Sequence, residues 1–283
     1  MLDKAEKDSA ARAPGTPDAA GEYRSHVGPA ERYDLFSAVQ FNLLTFLGLR
    51  EHHYLLDVGC GSLRAGRLFI PYLQPGHYYG VEPEAWLVQQ GIERELGADL
   101  VRLKRPVFSH DDRFTFSALG QRFDFLLAYS IFSHASQDQI RRCLSEARQV
   151  MQPGAIFAAT FAEGPDDYQG DRWVLWATYT FERMRALVEE QGLVCVPIEW
   201  PNPDPNLQRW ILIVHPGTEE RIAHLGDASQ LARLQGSLDF YKQRLAALEA
   251  HPYVRLGIQL NRGAKLLAYA GRRALRAVRK PKR

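Results

Sequence analysis

Cysteine is scarce in the 283-residue chain: Cys60, Cys143 and Cys195 are odd in number and far apart. They make neither a disulfide framework nor a Cys-x-x-Cys metal pair, and such sparse usage fits a reducing cytoplasm. No run of eighteen apolar residues occurs, which excludes a multi-pass membrane protein. Met1–Gly21 lacks the apolar core of a signal peptide, so no export signal is expected. The nine histidines show no H-x-x-x-H or H-E-x-x-H pairing, so no metal site is expected either. Acidic residues are absent from 255–283, which hold ten Lys and Arg. The rest of the chain therefore carries 25 basic and 33 acidic side chains, a net of −8 beneath an overall +2. An acidic body argues against a nucleic-acid partner.

What the chain does contain is ordinary for a globular protein, 46% hydrophobic and 24% charged, enough to bury a sizeable core. Residues 1–21 are rich in Ala, Gly and Pro and read as disordered, within a disordered N-terminus placed at 1–25. From about 30 to 48, Leu35, Phe36, Val39, Leu43, Phe46 and Leu47 recur at helical spacing. Short apolar runs then alternate with helical stretches. Strands are expected at Tyr54–Val58, His77–Val81, Leu100–Leu103 extended to Phe108, Phe123–Tyr129, Ala155–Phe161, Leu193–Ile198 and Trp210–His215. Helices are expected at Leu63–Tyr72, Ala85–Leu96, Gln137–Met151 and Thr180–Gln191. This alternation predicts an α/β fold with a seven-stranded, mostly parallel sheet and helices on both faces. Only a Pro-rich turn, Pro201–Asn206, joins the last two strands, so they are expected to pair antiparallel.

Leu55-Leu56-Asp57-Val58-Gly59-Cys60-Gly61-Ser62 is a buried strand running into an acidic residue and a glycine turn that opens a helix. Gly59 and Gly61 permit a sharp turn and close approach to a ligand. The neighbouring strand ends at Glu82, where a carboxylate can accept both hydroxyls of a ribose. The two features together point to an adenosine-containing cofactor. A nicotinamide dinucleotide site would need glycine where Arg64 stands in Gly59-Cys60-Gly61-Ser62-Leu63-Arg64.

Here the sequence resembles the class I S-adenosylmethionine-dependent methyltransferases, bacterial members with an added C-terminal extension among them. The resemblance spans roughly 50–215 and continues through Asp111-Asp112-Arg113-Phe114, the strand Phe123–Ser130 with its turn Ile131–His134, and Val150–Ala155 before the fifth strand. The family's third glycine falls on Leu63. What the resemblance implies is a Rossmann-like sheet and S-adenosylmethionine as cofactor. Asp57, Gly59 and Gly61 would surround its methionine half and Glu82 its ribose. Asp111 or Asp112, with Phe114, would lie near the adenine, and Ser130 would begin the loop facing the sulfonium.

His134, one short turn beyond the fourth strand, is the candidate catalytic base, against the alternative that it caps the next helix or closes the loop. The long loop Ala162–Trp173 sits where a ligand lid belongs, and its aromatics and carboxylates suit a polyol acceptor; the plain alternative is a surface loop with packed tryptophans. The expected activity is methyl transfer to oxygen or nitrogen of a small molecule or glycan. Two alternatives stay open: a silent cofactor-binding scaffold and, disfavoured by Arg64, an oxidoreductase. After a domain reading of 26–217, Leu231, Leu234, Leu238, Tyr241, Leu245 and Leu248 form a heptad seam within 218–250, expected to dimerise the protein or fold back. A basic amphipathic stretch at 251–283 suits peripheral contact with an anionic membrane face, a heptad-plus-basic ending similar to that of bacterial enzymes that build surface polysaccharides.

Overall fold

The computed structural model describes residues 22–202, 208–222 and 241–244. The chain divides into two units, Met1–Gln230 and Leu231–Arg283. Of the second, residues 241–244 are helical, and the rest of the heptad seam and the basic stretch lie outside the described residues.

The first unit runs α1 (Glu22–His26), α2 (Tyr33–Phe46), β1 (Leu55–Val58), α3 (Gly66–Tyr72), β2 (Tyr78–Val81) and α4 (Ala85–Gly91). It continues through α5 (Ala98–Lys104), β3 (Val107–Ser109), β4 (Phe123–Ala128), α6 (Gln137–Val150), β5 (Met151–Glu163) and β6 (Thr178–Tyr179). It ends with α7 (Phe181–Glu189), β7 (Val194–Ile198), β8 (Gln208–Val214) and α8 (Glu219–Ile222). The strand order is β3-β2-β1-β4-β5-β8-β7. The first five strands of that order run parallel, and β8 is antiparallel to both β5 and β7. This is the Rossmann-like α/β sheet expected from the sequence, with the antiparallel ending.

All four residues of β1 are buried, because helices cover both faces of the sheet. Leu56 and Val58 join a core with Ile140, Leu144 and Leu187 of α6 and α7. Leu55 joins the opposite core with Phe36, Leu43 and Leu44 of α2 and Phe69 of α3. Each such side chain contributes about 1.5–3 kcal/mol by leaving water. Order reverses at β1: β2 and β3 lie to one side, β4 and β5 to the other. In open α/β sheets the crevice for a ligand opens at the strand carboxyl ends beside such a reversal.

Four segments differ from expectation. Leu100–Leu103 is helical, inside α5, and the third strand is Val107–Ser109. Asp99 and Arg102 pair at helical i,i+3 spacing, Arg105 closes the helix at φ 48°, and Pro106 restarts an extended chain. A short apolar run does not distinguish strand from helix by itself. The fourth helix stops at Gly91 and passes into a π-helical turn, Ile92–Leu96. The two-residue strand β6, absent from the sequence reading, adds to β5 in parallel. Glu22–Ser25, assigned to a disordered N-terminus, belong to α1. The Tyr23 hydroxyl and the Arg24 guanidinium both donate to Glu95 Oε1, at 2.8 and 2.6 Å, which ties α1 to the body.

Candidate active site

The turn after β1 is built by backbone conformation. Gly59 and Gly61 have φ of 70° and 53°. A Cβ at Gly59 would sit 2.1 Å from Ile131 Cδ1, and one at Gly61 would sit 2.7 Å from Val27 Cγ1. Both positions need glycine on conformational and steric grounds. Leu63, where the methyltransferase pattern has its third glycine, keeps the left-handed conformation at φ 62° and is fully buried. The backbone path of the glycine pattern therefore survives the substitution, at a cost of about 1–2 kcal/mol.

Glu82, at the end of β2, reaches across to this turn. Its Oε2 accepts from the Gly61 N–H at 3.0 Å and its Oε1 from the Glu84 N–H at 3.0 Å. The carboxylate is thus fixed with one donor on each oxygen, which leaves acceptor capacity on both. Burial pushes its pKa up, and the backbone donors hold it down in part. Asp57 is 3% exposed and its Oδ2 accepts from the Tyr78 hydroxyl at 2.7 Å. Burial pushes its pKa up to about 6 against the relief given by Tyr78 and Arg64.

Arg64, not among the expected cofactor residues, lines the same cleft as Asp57, Gly59 and Gly61, together with Val27, Gln40 and Tyr129. The cleft encloses about 270 Å³ including its open mouth. The guanidinium packs against both the Phe36 and Tyr129 rings, 5.0 and 5.2 Å from their centroids, and donates to the Val27 carbonyl. Burial lowers its pKa.

At the end of β3, Asp111 accepts from the backbone N–H groups of Arg113 and Thr115 at 3.1 and 2.6 Å and from the Thr115 hydroxyl at 3.1 Å. It is engaged in a local turn. Asp112 is exposed and faces Arg113 at 3.8 Å. Phe114 takes φ 59° and packs edge-on against Phe116. His110, which carried no expectation, holds this loop to β2 through Nδ1 and the Glu82 carbonyl at 2.8 Å.

A polar cluster occupies the ends of β4, β5 and β8. Ser130 takes φ 63°, and its N–H donates to Thr160 Oγ1 at 2.8 Å. Its hydroxyl lies 3.1 Å from Ser133 Oγ, accepts from Gln208 Nε2 at 2.8 Å, and stands 3.5 Å from His134 Nε2. Thr160 in turn donates to Gln208 Oε1 at 2.6 Å. His134 Nδ1 is 3.1 Å from the Val174 carbonyl. A carbonyl can only accept, so Nδ1 carries the proton in the neutral ring and Nε2 offers its lone pair to the Ser130 side. The capping reading of His134 fails: Ser136 caps α6, accepting from Gln139 N–H while Gln139 Oε1 accepts from Ser136 N–H. Thr160 and Gln208 were missed because they belong to strands distant in sequence.

The loop after β5 folds over this cluster. Val174 N–H donates to the His134 carbonyl and Ala177 N–H to the Ser133 carbonyl, at 2.9 and 2.7 Å. Trp173 stacks on the His134 ring at 5.6 Å, and Trp176 meets it edge-on. The loop still presents apolar surface, with Leu175 91% and Trp173 49% exposed. Asp167 anchors the loop through Oδ1, which accepts from the Thr180 N–H and hydroxyl at 2.7 and 2.9 Å. Among the described residues no group of three His, Cys, Asp or Glu is placed to hold a metal, and no helix is long and apolar enough to cross a membrane.

A glycine cradle that any Cβ would obstruct, next to an oriented carboxylate at the end of β2, fits an adenosyl cofactor carrying an amino-acid group. Residues 56–157 match a family model described as a methyltransferase domain. No curated protein matches the chain. Solved structures share the fold. DesVI of Streptomyces venezuelae superposes with a TM-score of 0.53 at 14% identity, over 71% of this chain and 100% of that one. The glycopeptide N-methyltransferase MtfA in complex with sinefungin gives 0.51 at 14%, over 64% and 94%. Magnesium protoporphyrin IX methyltransferase of Synechocystis, with bound S-adenosylmethionine, gives 0.50 at 14%, over 71% and 86%. Residue 56 lies in β1 and residue 157 in β5, so the matched segment contains the glycine turn, Glu82 and the Ser130 loop. Over residues 56–157 the chain matches a methyltransferase domain, and its fold is shared with solved methyltransferases, one of them with bound S-adenosylmethionine.

Proposed function

We propose that the protein methylates an oxygen or nitrogen of a small molecule or glycan, and that His134 receives the acceptor's proton at Nε2. The supporting observation is the orientation of His134: its Nδ1 is held by the Val174 carbonyl, its ring by Trp173, and its Nε2 faces the Ser130 hydroxyl at the end of β4. Bound S-adenosylmethionine supplies a methyl group already activated by its positive sulfur. The chain's own residues align the acceptor and take up its proton. Gly59, Gly61 and Asp57 would hold the methionine half, Glu82 the ribose, and the loop of Asp111, Asp112 and Phe114 the adenine side. With Asp111 engaged by Arg113 and Thr115, the exposed Asp112 is the freer of the two carboxylates. The exposed tryptophans over His134 support an acceptor with a flat or ring-shaped face, as a sugar has.

Calorimetry tests the cofactor site. S-adenosylmethionine or its demethylated product should bind and NAD should not, and Glu82→Ala should weaken binding by about 1–3 kcal/mol, the cost of losing hydrogen bonds to a charged group. Tight NAD binding would overturn the assignment.

We further propose that the C-terminal extension adds two contacts, a homodimer through the heptad seam and an anionic lipid surface through the ten basic residues of 255–283. The full chain should sediment with phosphatidylglycerol vesicles at low salt and release at high salt, while a chain ending at Leu248 should stay in the supernatant. Equal behaviour of the two chains would dispose of the lipid contact.

A further inference from the structure

The cleft after β1 holds two opposite charges that are not in contact. Asp57 and Arg64 both line it, yet they form no ion pair within 4.0 Å. Asp57 is satisfied on one oxygen by a neutral hydroxyl, Tyr78. Arg64 has a backbone carbonyl, Val27, and two aromatic faces, Phe36 and Tyr129. Among the described residues no carboxylate pairs with it. A partly buried guanidinium with no anion in contact is costly, because dipoles and ring faces replace only part of its hydration. A guanidinium also has five N–H donors, and a single carbonyl leaves most of them available.

The chemistry that complements such a pair is an amino-acid zwitterion, whose ammonium and carboxylate leave the same carbon. We infer that Arg64 and Asp57 together bind the amino-acid end of the cofactor, Arg64 taking the α-carboxylate and Asp57 the α-ammonium. This rests on the reading of the Gly59–Gly61 turn as the cofactor site. It assigns a role to the residue next to Leu63, where the chain departs from the glycine-rich turn. Leu63 preserves the backbone path, so Arg64 follows the turn at a fixed place and its side chain returns over the turn to Val27. The pairing makes the cofactor's carboxylate a determinant of recognition, where the adenosine half alone would be read by Glu82 and the β3 loop. Val27 belongs to the segment that follows α1, so the same guanidinium joins that segment to the ligand's anionic end.

The test alters the ligand and the residue separately. Binding of S-adenosylmethionine and of its decarboxylated analogue, which lacks only the carboxylate, is measured by calorimetry on the full-length wild type, R64K and R64M. The wild type should prefer the intact cofactor. R64M should lose roughly ten- to a hundred-fold in affinity for it, the range for a charge-assisted hydrogen bond, and bind the decarboxylated analogue as the wild type does. R64K, which keeps the charge but not the planar fork, should fall between. Equal losses for both ligands in R64M would overturn the inference and leave Arg64 as packing for Phe36 and Tyr129. A wild type that binds both ligands equally would overturn it without any variant, so a misfolded R64M does not protect it. A wild type that binds neither would instead remove the cofactor-site reading on which it stands.

Discussion

His134→Ala should lower turnover by about 10²–10⁴-fold with cofactor affinity retained, the range for losing a general base. Base and anchor roles can be separated here because the two ring nitrogens have different partners. Nδ1 holds the Val174 carbonyl and so the loop over the site, while Nε2 faces Ser130. Asparagine places an amide nitrogen close to the position of Nδ1 and can keep the bond to Val174, but it has no basic lone pair. His134→Asn should therefore be almost as slow as His134→Ala if Nε2 takes the proton. If His134 only anchors the loop, His134→Asn should recover most of the activity. Turnover of His134→Ala within about threefold of wild type would make the residue structural. Single-turnover rates and cofactor titrations on the same preparations separate slow chemistry from lost binding.

The strand-to-helix alternation was legible because the sheet is covered on both faces, so strands read as near-continuous apolar runs such as Leu55–Val58 and Phe123–Ala128. Leu100–Leu103 misled for the same reason: an apolar triplet carries no period, and the left-handed Arg105 before Pro106 settles the matter only in three dimensions. Glu82 and the glycine turn were readable because their spacing is local to one β-α-β unit. Thr160 and Gln208 were not, since they meet Ser130 from β5 and β8, 30 and 78 residues further along the chain. An arginine beside the turn can meet an anionic group, but its place in the cleft is not written in the motif. The third glycine of the pattern falls on Leu63, which holds φ 62°, and Arg64 after it folds back into the cleft. Sequence periodicity reports which face is buried, and not that a charged residue in the cleft has no anion in contact with it.

The lack of a contacting counter-charge bears on Asp57 as well, and Asp57→Asn should stabilise the ligand-free protein at neutral pH while weakening its hold on the cofactor. Burial raises the folded-state pKa of Asp57 from 3.8 to about 6. Below about pH 4 the group is protonated in both folded and unfolded chains and contributes no difference. Between about pH 4 and 6 the unfolded chain releases its proton and the folded chain keeps it, so stability falls as pH rises. Above about pH 6 the penalty is complete, at about 3 kcal/mol for a shift of this size. Asparagine still accepts from Tyr78 and cannot ionise. The variant should melt with the wild type near pH 4 and several degrees above it near pH 7, roughly 6–10 °C for a chain of this size. Saturating cofactor should narrow or reverse the gap, because the wild type gains more from binding a ligand whose ammonium meets the carboxylate. Equal Tm values at pH 7 without ligand would mean that the charge on Asp57 is already compensated in the empty cleft. A gap that cofactor leaves untouched would mean that Asp57 does not meet the ligand. A carboxylate that destabilises the fold until a cation arrives is what a binding site for the amino-acid end of the cofactor requires.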